Sequence, residues 1–217
     1  GDKPTVGVDY KSFGESITED DKRTAIVIRD KTSISTHAHV VECKGTGDAS
    51  IVDRIIEDID NMGHTGILLK GDGEPALTQV METVKRQRAH STILVNPPAY
   101  DPQSNGAIEK AVDQFMGQLR TLKLSLESRL GAPISNDLAI MEWMVEHSCT
   151  TINRGQVGHD GKVPYRRLMG KEPIQPLVEG EQVIAKPLRQ KKTSKQISLA
   201  ARWLYGTWVG VTDRPNE

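Results

Sequence analysis

Three carboxylates stand out by where they sit in the chain. Asp9 closes the apolar run Val6-Gly7-Val8, Asp72 lies in Lys70-Gly71-Asp72-Gly73, and Glu109 falls in a periodic stretch just after a loop with three prolines. Singly, each has an ordinary explanation. Asp9 can point to solvent on the alternate face of a strand, Asp-Gly is a common turn dipeptide, and an acid in the first turn of a helix is favoured by the macrodipole. Together they describe something else. Carboxylates brought close repel unless a cation joins them, and hard ions such as Mg²⁺ or Mn²⁺ prefer oxygen ligands.

Whether they converge depends on the elements that carry them. Residues 5–13, 23–29 and 34–42 are β-branched and apolar with short turn signals between them, which predicts an antiparallel meander. Ile51, Ile55, Ile59 and Met62 then recur at helical spacing, with Asp48 and Ser50 as cap candidates. Residues 65–70 predict a fourth strand, 76–88 a second helix and 92–95 a fifth strand. The order βββ-α-β-α-β implies a mixed five-stranded sheet with helices on its faces. If strands 5–13 and 65–70 are neighbours, Asp9 and Asp72 reach the same end of the sheet. Glu109 opens the helix after the loop 96–104, where it can face them.

That helix is the longest periodic stretch, with Ile108, Val112, Phe115, Leu119, Leu122 and Leu126 on one stripe. A further helix is expected over 136–153, its stripe being Leu138, Met141, Val145, Cys149 and Ile152. The stripe either packs on its own sheet or, with Met141 and Val145, forms a contact in a homo-oligomer. Residues 155–181 are rich in Gly, Pro and charge and read as a linker. Residues 182–188, 197–204 and 207–212 read as β-rich, with a basic loop at 189–196.

Composition narrows the classes. The 217 residues suffice for one α/β domain and a small appendage. No apolar run approaches the roughly 20 residues of a membrane span, and the N-terminus lacks the apolar core of a signal peptide. Cys43 and Cys149 form no CxxC pair, which favours a reducing compartment. The net charge of −1 conceals an asymmetry: residues 1–75 carry 15 acids and 9 bases, whereas 183–212 carry six bases and no acid. A basic tail on an acidic body points to a polyanionic partner, or is simply a solvated loop.

The ordered motifs resemble the catalytic core of retroviral and retrotransposon integrases, in the RNase H-like DDE superfamily. VGVDYKSFG is similar to the first strand with its Asp, GILLKGDGEPAL to the fourth strand with the second Asp, and NPPAYDPQSNGAIEKAVDQFMGQLR to the loop and long helix with the Glu. The string Pro102 to Glu109 is the most specific element. Thirty-six residues separate Asp72 from Glu109, close to the family's usual spacing of about 35, and a loop insertion of one is a minor departure.

The resemblance covers roughly residues 4–170, with a core placed at 1–154, a linker at 155–180, and residues 181–217 similar to the start of a small SH3-like barrel, expected to be incomplete. No paired His and Cys set corresponds to the family's zinc-binding N-terminal domain. The likeness implies a polynucleotidyl transferase that processes DNA 3′ ends and joins them to target DNA. Asp9, Asp72 and Glu109 would ligate two Mg²⁺ or Mn²⁺ ions. It also implies element and target DNA as partners, a homo-oligomer, no membrane, and action in the nucleus after a cytoplasmic particle stage. Asn105 would contact DNA near the scissile phosphate or cap the helix, and Tyr100 would stack on a base or anchor the loop. Arg189, Lys191, Lys192 and Lys195 would grip phosphates.

Rivals are a nuclease of the same fold and an inactive core retained for DNA binding or oligomerisation. A metal cluster of His37, His39 and Cys43 on alternate strand positions is disfavoured by the missing ligand-pair spacing. His147 and Cys149, two apart on a helix, do not face each other. Trp203, Tyr205 and Trp208 suit the core of the small β-domain, or a nucleic-acid surface.

Overall fold

The computed structural model describes residues 3–14, 22–95, 106–173, 182–185 and 204–207. Strand β1 (Thr5–Phe13) pairs antiparallel with β2 (Arg23–Asp30), and β2 with β3 (Thr36–Val41), which is the meander read from the sequence. Helix α1 (Ala49–Asn61) follows, capped by Asp48, whose side chain accepts from the Ser50 backbone N–H. Strand β4 (Gly66–Lys70), helix α2 (Pro75–Gln87) and strand β5 (Ser91–Val95) complete the sheet in the order β3-β2-β1-β4-β5, with β1, β4 and β5 parallel.

Strand periodicity divides the core into two layers. Val6, Val8 and Tyr10 of β1, with Ile26 and Ile28 of β2, pack against Ile51, Ile55 and Ile59 of α1 and Leu77, Val80 and Val84 of α2. The other face of β2, Ala25 and Val27, meets α3 (Gly106–Leu130) and α4 (Ala139–Gly155). Ala25 to Ile28 are all fully buried, because helices cover both faces of the central strands.

The structure corrects three expectations. Met141 and Val145 are 2% and 0% exposed, packed with Phe115 and Val27 inside the chain's own core, so the α4 stripe is not a contact between copies. Leu138 stands before the helix at its N-cap and is exposed rather than part of the stripe. Inside the stretch read as a linker, α5 (Pro164–Met169) packs back on the body, where Leu168 joins the first core layer and Arg167 Nη1 donates to the Ser33 carbonyl at 3.1 Å. Helix α5 has only six residues and no apolar stripe, which is why its composition reads as linker.

Of the β-rich tail, β6 (Gln182–Ala185) and β7 (Leu204–Thr207) form an antiparallel pair. The other residues read as barrel strands lie outside the described residues. No helix among the described residues is long and apolar enough to cross a membrane.

Candidate active site

The parallel pairing of β1 with β4 matches Gly7 with Lys70. Asp9 stands two residues beyond Gly7, in the middle of β1, and Asp72 two residues beyond Lys70, just past the end of β4, so both lie towards the C-terminal end of β4. In open α/β sheets this end is where ligands bind. Asp9 alternates with Val8 and Tyr10, both in the α1/α2 layer, so it shares the opposite face with Gly7. That face receives the start of α3. The Cβ of Ile108 lies 3.1 Å from where a Cβ on Gly7 would stand, so the helix settles there because position 7 has no side chain. Glu109 is the next residue, exposed in the first turn.

Electrostatics ties the two aspartates together. Burial first, then the Asp72 and Glu74 carboxylates, push the Asp9 carboxyl up to about 6, against the Tyr10 backbone and Lys11. Asp72 is exposed, and its Oδ1 accepts the Glu74 backbone N–H at 2.8 Å. Gly73 between them has φ +87°, a left-handed conformation that a side chain would strain.

Glu109 lies on the same side but is not among the groups that act on Asp9. Among the described residues, no group of three or more His, Cys, Asp or Glu side chains is close enough to hold a metal ion. The reason is physical: a third carboxylate gains nothing by approaching two others until a cation is between them. The donor set itself suits a hard divalent ion, since it offers only carboxylate oxygens and its half-buried member is held under-ionised by burial and by the carboxylates beside it.

Sequence reasoning left two neighbours without a role. Glu74, quoted only as part of the motif around Asp72, accepts from Lys44 Nζ at 2.9 and 3.1 Å through its two oxygens. Lys44 also lies 5.2 Å from the centre of the Tyr10 ring, and the Tyr10 hydroxyl accepts the Gly45 N–H at 3.1 Å. The segment after β3 is thereby fastened beside the carboxylates. No pattern in the sequence links position 44 to position 74.

His37 and His39 have protein partners. His39 lies between Asp58 Oδ2 at 2.6 Å and Glu146 Oε1 at 3.1 Å, and His37 lies 3.3 Å from Asp58 Oδ1. Tyr100, Asn105, Arg189, Lys191, Lys192 and Lys195 fall outside the described residues.

No protein-family profile and no curated protein sequence matches the chain. Solved structures do. The catalytic core domain of BIV integrase superposes with TM-score 0.52 at 17% identity, covering 76% of this chain and 93% of that one. The HTLV-2 integrase catalytic core domain, in complex with magnesium in a trimeric form, gives 0.53 at 13% identity over 75% and 93%. A chain of the simian T-cell lymphotropic virus intasome gives 0.55 at 21% identity, covering 94% of this chain and 66% of that one. The chain therefore has the fold of a retroviral integrase catalytic core, a mixed five-stranded sheet flanked by helices.

Proposed function

We propose that this chain is a metal-dependent DNA strand-transfer enzyme of the integrase type, which processes 3′ ends of element DNA and joins them to target DNA. The observation that carries this reading is the pair Asp9, on β1, and Asp72, just past the end of the adjacent parallel strand β4, electrostatically coupled beneath the helix that brings Glu109. The integrase-core fold supports it, and the HTLV-2 core, itself in complex with magnesium, supports the choice of ion.

Asp9, Asp72 and Glu109 would hold Mg²⁺ or Mn²⁺, which would activate a water or a 3′-hydroxyl and stabilise the leaving oxygen. The protein's own task is positioning, because phosphoryl transfer is catalysed chiefly by placement and charge stabilisation. Rigid β1 and β4 fix the two aspartates. The Ile108–Gly7 contact fixes the start of α3, and Lys44 restrains Glu74 beside the pair. Tyr100 and Asn105 would contact the DNA end. Arg189, Lys191, Lys192 and Lys195 would hold the backbone near a surface whose acids otherwise repel it. The enzyme would act in the nucleus as a homo-oligomer, through surfaces other than Met141 and Val145.

Glu109→Gln keeps the shape and removes the charge. With labelled end DNA and Mg²⁺, the folded variant is expected to lose joining by a factor of at least about 10², the scale on which single charge-stabilising groups act. Unchanged joining would refute the role. A parent protein that nicks DNA but never joins it would be a nuclease of the same fold.

A further inference from the structure

Beside the start of α3, on the same face as Asp9, the surface dips into a shallow depression lined by Gly7, Arg29, Lys31, Lys70, Ala107 and Ile108 among others. We infer that this depression is a second phosphate subsite, which grips the backbone of the bound DNA strand at the phosphate next to the one at the carboxylates.

The sheet builds it. Gly7 pairs with Arg29 on β2 and with Lys70 on β4, so one bare position is flanked by two cationic side chains on the same face. Lys31 is tied to the start of β1 by its backbone N–H, which donates to the Thr5 carbonyl at 3.0 Å. Among the described residues, no acidic one lines the depression. Asp30 alternates to the other face, opposite Val6. It is fully buried there and accepts from the Thr32 and Ser33 backbones and the Ser33 hydroxyl. The closest acid along α3 is Glu109, which belongs to the carboxylate group.

Two further observations point to an anion. The first turn of α3, a helix of 25 residues, borders the depression through Ala107 and Ile108. Backbone N–H groups there have no partner within the helix and favour negative charge. Arg29 is 91% buried, its Nη1 donating to Thr36 Oγ1 at 2.5 Å, and burial presses its guanidinium towards the neutral form against the pull of Asp30. A phosphate at the mouth supplies the counter-charge.

Spacing fixes the register. Gly7 is two residues from Asp9, roughly 7 Å along a strand, which matches the separation of neighbouring phosphates on one DNA strand.

The inference rests on the strand-transfer reading for the identity of its ligand, and the test separates the two. The full chain and its Lys31→Ala/Lys70→Ala variant are titrated with a fluorescent DNA end without metal, over a range of salt. The expected result is several-fold weaker binding and a loss of about two units of salt slope, at about 0.9 per phosphate contact. The arginine pair Lys31→Arg/Lys70→Arg should restore both. A single neutral methylphosphonate next to the joined phosphate should weaken binding to the parent but not to the alanine variant. Unchanged slope in the alanine variant, or equal sensitivity of both proteins to the methylphosphonate, overturns the subsite even if the parent joins DNA. A parent that never joins DNA, while the alanine variant still loses the slope, sinks the strand-transfer reading and leaves the anion site standing.

Discussion

Ile108 and Gly7 meet with no side chain between β1 and α3: the Ile108 Cβ is 3.1 Å from where a Gly7 Cβ would be. Ordinary carbon contacts are about 3.5–4 Å, so any side chain at position 7 must push the helix start away. Gly7→Val is expected to cost about 1–3 kcal/mol in stability, as overpacking does. Because Glu109 follows Ile108 directly, joining should fall further than the loss of folded protein explains. Melting curves, with DNA joining assayed where the variant is fully folded, check this. Full activity in folded Gly7→Val would show that this contact does not position Glu109.

The Asp9 carboxyl titrates near 6, above its usual 3.8. A carboxyl raised in the folded state stabilises the fold at low pH, and that contribution is lost as pH rises through about 6. Asp9→Asn should therefore raise the melting temperature at pH 7.5 in chelator, by a gain of about 1–2 kcal/mol after solvent screening, and leave it nearly unchanged at pH 4. Protons compete with metal at the same oxygens. Apparent Mg²⁺ or Mn²⁺ affinity of the parent, measured by calorimetry, should fall about tenfold per pH unit below 6.

At the outer edge of the sheet, burial alone would lower the His39 pKa, but Asp58 and Glu146 raise it to about 9. Asp58 is shifted down despite its burial, by His37 and His39. The imidazolium's contribution is complete below about 6.5 and is lost as pH climbs through 9. That of Asp58 is present above about 4 and is lost as pH falls. The melting temperature of the parent should thus decline from pH 6.5 to 9.5, and His39→Gln should flatten that decline. A parallel decline in both proteins would remove His39 as its source.

Asn153 of α4 holds both backbone groups of Thr36: its Oδ1 accepts the Thr36 N–H and its Nδ2 donates to the Thr36 carbonyl, each at 2.8 Å. Asn153→Ala leaves two buried peptide groups unsatisfied and should cost about 2–4 kcal/mol. Denaturant unfolding measures it, and a loss below about 0.5 kcal/mol would mean that water replaces the amide.

The strands and the carboxylate order were legible because period-two and period-3.6 patterns are local, and Asp9 lies within the first strand and Asp72 just past the fourth. The β1–β4 adjacency that aligns them was an inference from topology, and the register places them in step. What stayed hidden depends on packing over long separations. Glu74 meets Lys44 only because the segment after β3 folds against α2, and His39 meets Asp58 and Glu146 only where α1 and α4 flank the same strand. For Met141 and Val145 the stripe announced burial without saying against what, and the answer was the chain's own sheet.

The Asn153 clamp also bears on solubility. β3 is an outermost strand, and an exposed rim of peptide groups invites another chain to add itself edge to edge. At Thr36 the amide of Asn153 already occupies the rung that such a newcomer would need. Further along the same strand, His39, its pKa raised between Asp58 and Glu146, sets charge where an aggregating strand would want apolar contact. The opposite rim, β5, is only five residues long. Edge-to-edge growth through the sheet is thus disfavoured at both margins.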